Sequence, residues 1–149
     1  MTPEIFESTH KVRPYECDFY GHVNNAIYLN YLEFARMETL EQKQLSLPDL
    51  KALGFMILIR QIDIHYKSPA LAGDQIVIRT RLKEYRQASG TFFQEIVRVA
   101  DQRLLIEADV TWVVVNLAGR PLPIPDPIRR AFGLPLRHQP ARGDGGDGR

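Results

Sequence analysis

A single cysteine, Cys17, occurs in the whole chain of 149 residues, so no disulfide can form within it. A lone thiol fits a reducing compartment. No apolar run approaches the ~18 residues that a membrane-crossing helix needs. The opening residues, MTPEIFESTHKVR, hold no apolar core of the secretory kind. Together these point to a cytoplasmic protein with no membrane insertion. Charge of either sign is not in excess. Lys and Arg number 19 against 18 Asp and Glu, a formal net charge of +1, so no global field favours nucleic acid or an acidic partner. There is no internal repeat and no zinc-ligand spacing, so neither metal nor cofactor is expected.

What is present suits one globular domain over residues 1–136, with 44% apolar residues to build a core. The end, RHQPARGDGGDGR (137–149), has almost nothing apolar with which to offset ordering entropy, so a disordered tail is expected there. Asn24 and Asn25 are good helix caps. After them Ile27, Tyr28, Tyr31, Leu32, Phe34 and Ala35 fall at helical spacing, with Asn30, Glu33, Arg36 and Glu41 on the other side. The spacing predicts a helix to about Gln44, ended before Pro48. A local Glu33–Arg36 pair is expected on its surface. The rest alternates as strands: FMILIRQIDIHYKSP, DQIVIRTRLKEYR, SGTFFQEIVRVAD and RLLIEADVTWVVVN, separated by PALAGD, QASG and ADQR. A short first strand at about His10 to Glu16 makes five, and PIPDPIRRAF suits a last short helix. The class is α+β: an antiparallel five-stranded sheet packed on one long helix. The basic row Arg79, Arg81, Lys83 and the partly acidic row Glu107, Asp109, Thr111 are expected to form charge pairs on the solvated face.

The densest chemistry is ECDFYGHVNN (16–25), which sets Cys17, Asp18, Tyr20, His22, Asn24 and Asn25 just before the helix. From Asp18 to Glu33 the pattern D-x-x-G-H-V-N-N-x-x-Y-x-x-Y-x-E resembles the signature of hotdog-fold acyl-CoA thioesterases of the 4-hydroxybenzoyl-CoA thioesterase type. A second block, IDIHYKSPALAGDQIVIRTRL (62–82), is similar to that family's strand, Y-x-x-P-A, G-D, strand sequence. The two blocks stand in the same order, and the resemblance covers roughly residues 9–118. It implies a hotdog fold, in which the sheet wraps the helix. It also implies a homodimer or homotetramer, joined through the strand of residues 55–68, with the active site at that interface. The edge of FMILIRQIDI supports a partner independently, since a long apolar edge left open is a liability.

The resemblance further implies hydrolysis of acyl-CoA, or of acyl-carrier-protein thioesters, to free acid and thiol. Asp18 would act as general base or nucleophile, and the Asn25 backbone N–H at the helix start would hold the oxyanion. Gly21 is expected to give the loop its backbone freedom, and Gly21, Asn24 and Tyr28 to border the substrate. Plant acyl-carrier-protein thioesterases show a similar D-x-N-x-H-V-N-N stretch in which the Asp, the Asn and the His are functional. Asp18 and His22 match it, making His22 a candidate, while Tyr20 replaces the middle Asn. Cys17 has no neighbour that would lower its pKa and is not expected to be a nucleophile. The CoA arm would find basic surface at Arg79, Arg81, Lys83 or Arg86. Two alternatives stay open. A hotdog hydratase or dehydratase would use an Asp and a His separated by four residues with Asn-Pro between, or a His and Glu pairing, whereas only three residues separate Asp18 from His22 and the Asn-Pro is missing. A non-catalytic acyl-CoA-binding module would keep the pocket without needing Asp18.

Overall fold

Alternation along the later strands puts one row of each on a single face, and that row closes over the long helix. A computed structural model describes residues 4–137. The strands are β1 (Phe6–Lys11), β2 (Phe55–Tyr66), β3 (Gln75–Tyr85), β4 (Ser89–Arg98) and β5 (Arg103–Asn116), and the helices are α1 (Asn25–Gln42), α2 (Leu47–Ala52) and α3 (Asp126–Ala131). The strands form one sheet in the order β1-β3-β4-β5-β2, and every neighbouring pair is antiparallel. This is the expected α+β hotdog arrangement, with the short last helix in place.

The inner face of the sheet presents Ile76 and Ile78 from β3, Phe92 and Ile96 from β4, and Ile106, Val110 and Trp112 from β5. Tyr28, Tyr31, Leu32, Ala35 and Leu40 of α1 pack on that face. Each such aliphatic or aromatic side chain removed from water contributes roughly 1.5–3 kcal/mol. Trp112 lies across from Gly90 in the register, and a Cβ on Gly90 would meet its ring at 2.3 Å. Glycine there makes room for the indole, whose Nε1–H is buried without a hydrogen-bond partner among the described residues.

Four local expectations are corrected. The first strand lies at Phe6–Lys11 rather than at His10 to Glu16. Proline at 14 instead opens a single 3-10 turn, Pro14–Glu16. The helix ends at Gln42, with Gln44 at a positive φ of 55°. A further short helix, α2, follows, capped by Ser46 and Asp49 reciprocally, with Pro48 in its first turn. Finally, Arg36 is not on the solvent side and makes no ion pair with Glu33. It is buried beneath α1 and donates to Gln94 Oε1 at 2.9 Å, while Phe34, assigned to the apolar face, is exposed. Gln94 in turn donates to the Leu32 carbonyl and to Thr80 Oγ1, so a buried polar thread crosses the inner face. A helix whose buried stripe contains Arg36 and Thr39 misleads a purely apolar count.

On the outer face the charge rows pair as expected, though with partners across different strands. Arg79 meets Glu7 at 2.8 Å and Lys83 meets Asp109 at 2.8 Å. Arg81 lies over the Phe93 ring, 4.8 Å from its centroid. The expected tail, 137–149, falls outside the described residues except at position 137.

Candidate active site

The loop from Cys17 to Asn24 runs from the 3-10 turn to the mouth of α1, and its backbone is tied at both ends. Asp18 N–H donates to the His22 carbonyl at 2.7 Å, and Gly21 N–H returns to the Asp18 carbonyl at 3.0 Å. Asn24 N–H donates to the Glu16 carbonyl at 3.0 Å, and Val23 N–H to the Ala70 carbonyl at 2.9 Å. Gly21 has a φ of +80° with open space where a Cβ would stand, so glycine serves the turn itself rather than a close approach. Asn24 is the N-cap of α1, its side chain accepting the Ala26 N–H at 2.9 Å.

The Asp18 carboxylate organises this loop. Its Oδ1 accepts the N–H of Tyr20 at 2.9 Å and of His22 at 3.1 Å. Among the described residues its Oδ2 accepts nothing. The Asn25 N–H, first of the helix, likewise donates to no described residue, which is the state of an unfilled helix start. Asp18, His22, Asn25 and Tyr28 line one cavity of about 330 Å³, together with Val23, Tyr66, Lys67, Ser68 and Pro69. Four of the six residues singled out in the sequence are thus brought together. Gly21 and Asn24 shape the loop and the helix start without lining the cavity.

Tyr28 accepts the Ala70 N–H at 2.9 Å on its hydroxyl, and burial pushes that hydroxyl above its ordinary pKa. Tyr66, near the end of the edge strand β2, donates to the Asn25 carbonyl at 3.3 Å and packs edge-on against Tyr28. The strand of the second sequence block therefore forms the far wall of the cavity. Tyr66, Lys67, Ser68 and Pro69 were not singled out as site residues. Their signal was the Y-x-x-P-A motif of that block, and only the fold shows that it folds over the helix mouth.

Glu16 was also missed. It sits behind the loop, where its carboxylate takes His10 Nε2 at 3.0 Å, the Tyr31 hydroxyl at 2.8 Å and the Arg13 N–H at 2.8 Å. Burial raises the Glu16 carboxyl, but the hydrogen bonds from Arg13, His10 and Tyr31 outweigh burial and hold it below its ordinary value. Cys17 moves the other way: burial and the neighbouring Glu16 and Asp18 carboxylates push its thiol up, which makes it a poor nucleophile. No group of three or more His, Cys, Asp or Glu able to hold a metal exists among the described residues.

Residues 12–132 match the thioesterase-like superfamily over most of the chain. The chain belongs to the thioesterase-like superfamily. It is a thioesterase of the hotdog fold. Among the relatives of this superfamily, an acyl-acyl carrier protein thioesterase of Arabidopsis thaliana, ATL3, is 33% identical over 93% of this chain and 73% of its own length. The acyl-CoA thioester hydrolase YbgC of Escherichia coli is 32% identical over 89% of this chain and 98% of its own. Among solved structures, the probable thioesterase YbaW of Escherichia coli superposes with a TM-score of 0.76 at 30% identity, covering 85% of this chain and 95% of that one. No helix among the described residues is long and apolar enough to cross a membrane.

Proposed function

We propose that this thioesterase hydrolyses acyl-CoA to free acid and CoA at the mouth of α1, with Asp18 as general base or nucleophile. The observation that carries this reading is the pairing of two unused groups on one cavity. These are Asp18 Oδ2, which can take a proton or attack, and the Asn25 N–H, which can receive an oxyanion.

As a base, Asp18 draws a proton from water while the water oxygen attacks the thioester carbonyl. The carbonyl electrons move onto oxygen, held by the Asn25 N–H and the positive end of the helix. Collapse breaks the C–S bond, and the sulfur leaves as thiol with the proton from Asp18. As a nucleophile, Asp18 attacks the carbonyl, the C–S bond breaks and CoA leaves as a thiolate that takes a proton from water; water then hydrolyses the acyl anhydride to free acid and the Asp18 carboxylate. The His22 ring lines the same cavity and has no hydrogen-bond partner among the described residues, so it is free to take a share in proton transfer. The reading rests also on the relatives' names, which include both acyl-CoA and acyl-carrier-protein thioesterases.

A homodimer or homotetramer belongs to this proposal. β2 is an edge strand whose described strand pairing is to β5 alone, and Leu58 and Ile59 on it stand 45% and 44% exposed. The cavity wall formed by Tyr66 continues directly into that edge. Arg79 and Lys83 are already ion-paired, so of the four basic candidates for the CoA arm Arg86 is the one with neither an ion pair nor an aromatic contact.

The deciding experiment is a hydrolysis panel of short, medium, long and aromatic acyl-CoAs beside acyl-carrier-protein thioesters, read by release of free thiol. Turnover of at least one acyl-CoA, lost in Asp18→Asn, supports the proposal. Binding of acyl-CoA with no thiol release by the folded protein sinks it in favour of a binding module.

A further inference from the structure

A second cavity, of about 130 Å³, opens between α1 and the edge strand β2. Its lining is mostly apolar: Met37 and Leu40 from the helix, Leu47 from α2, Ile57 and Ile59 from β2, and Phe92 from the sheet. Three other residues share that lining: Glu33, Arg36 and Trp112. Arg36 is 8% exposed and has five N–H donors, of which one is placed, on Gln94. No carboxylate meets it within ion-pair distance among the described residues; Glu33, which is exposed, lines the same cavity and acts on the guanidinium through its charge alone. Trp112 is 1% exposed, lines the same cavity, and its Nε1–H has no partner. A buried cation with donors to spare and a buried indole N–H without a partner, on a mostly apolar cavity whose one carboxylate, Glu33, bonds to neither, are what a site looks like when the missing acceptor arrives with a ligand. Burial pulls the Arg36 guanidinium down to about 10, opposed by Glu33, so it remains a cation at neutral pH.

The position along the helix fixes what could reach it. Arg36 lies eleven residues beyond Asn25 on α1, which is roughly 16 Å of helix axis. That is the reach of a medium to long acyl chain and far beyond an acetyl or benzoyl group held at the helix mouth. We infer that this cavity receives the far end of the acyl chain, and that Arg36 and Trp112 select chains carrying an oxygen acceptor there, a hydroxyl or a carboxylate. The inference rests on the acyl-thioester reading above and adds its substrate class. A plain alkyl end fills the apolar lining but leaves both donors unmet. An oxygenated end satisfies them and gains the preference that sites built to hydrogen-bond a substrate group show over the analogue lacking it.

The test uses thioether analogues of lauroyl-CoA, ω-hydroxylauroyl-CoA and dodecanedioyl-CoA, which keep the chain and cannot be hydrolysed. Affinity is measured by calorimetry on the full chain. The hydroxyl or the diacid analogue, or both, should bind at least about tenfold more tightly than the lauroyl analogue, and which of the two wins identifies the oxygen. Arg36→Met should cut that ratio to near one. Because it also strips Gln94 of its donor, Trp112→Phe is measured beside it. That variant leaves the Gln94 thread intact and should reduce the ratio several-fold, and Arg36→Lys should retain part of it. Lauroyl binding as tightly as both oxygenated analogues overturns the inference, and so does a cavity closed by a side chain of a second copy, which would give the same three equal affinities. Hydrolysis of lauroyl-CoA alongside equal affinities overturns this inference alone and leaves the thioesterase reading intact. Failure of all three analogues to bind overturns both.

Discussion

On the proposed mechanism Asp18 would hold two tasks in one carboxylate: Oδ1 braces the loop through the Tyr20 and His22 N–H groups, and Oδ2, which takes no hydrogen bond among the described residues, would serve as the base. Asn in its place keeps an Oδ1 acceptor for both N–H groups and removes the base. Asp18→Asn is therefore expected to fold and to lose at least about a hundredfold in kcat with little change in KM, since general-base contributions run ~10²–10⁴-fold. Steady-state kinetics on an accepted acyl-CoA, with a thermal melt as control, decides it; near wild-type turnover would make Asp18 a loop brace only. Glu16 predicts a pH effect on stability. Its folded-state pKa is held below the ordinary 4.5, so it binds fewer protons folded than unfolded on the acid side. Its contribution is present above that value and disappears as pH falls through the folded pKa. Glu16→Gln should consequently be less stable than the parent at neutral pH, with the gap narrowing as the pH of the melt is lowered below 4.5 and through the depressed folded-state pKa. A constant gap across that range would mean that shape rather than charge is what Glu16 supplies. At this scale the sequence showed the members of ECDFYGHVNN because they are adjacent in the chain. It did not show Glu16 as a hub, because His10 and Tyr31 reach it from β1 and α1. Nor did it show Arg36 as buried, because an arginine among Glu and Asn reads as solvent-facing until Gln94 is found beneath it.

Helix α1 was legible as an element because two signals coincide, a cap at Asn24 and apolar spacing behind it. The cap is also a functional element on the present reading, since it holds the helix start at the cavity. Asn24→Ala removes the bond to the Ala26 N–H and should cost about 1 kcal/mol of stability in chemical unfolding. If the Asn25 N–H must be held in place for the oxyanion, kcat should drop in the same variant by more than KM rises, under conditions where it remains folded. Full kcat in a destabilised variant would detach the helix start from catalysis. Helix α2 is not legible from the sequence pattern because Pro48 reads as a stop. A proline in the first turn is favourable, and the reciprocal Ser46–Asp49 cap was the sign of it. The first strand was placed too far along because Ser8 and His10 interrupt its apolar row, while Val12 and the residues around Pro14 looked more strand-like than the turn they form. The long strands suffered neither problem, as each runs ten residues or more and is rich in β-branched or aromatic residues.

For the whole molecule, the exposed Leu58 and Ile59 on the β2 edge and the Tyr66 wall of the cavity make one testable demand. Light scattering at micromolar concentration should give twice or four times the 17.1 kDa of the chain. A monomer with full thioesterase activity would dissociate the site from any interface. The same strand order has a consequence for synthesis. β2 emerges early, but the strand it pairs with, β5, is the last of the five. Some 40–50 residues separate them, so at 5–20 residues per second a nascent chain carries an apolar strand with neither edge covered for roughly two to ten seconds. Over that interval β2 is a target for chaperones or for a neighbouring nascent chain on the same message. If β2 pairs with a second copy as proposed, a copy that has just finished folding would offer the surface it needs, and assembly would begin on the ribosome, before the sheet of the younger chain has closed.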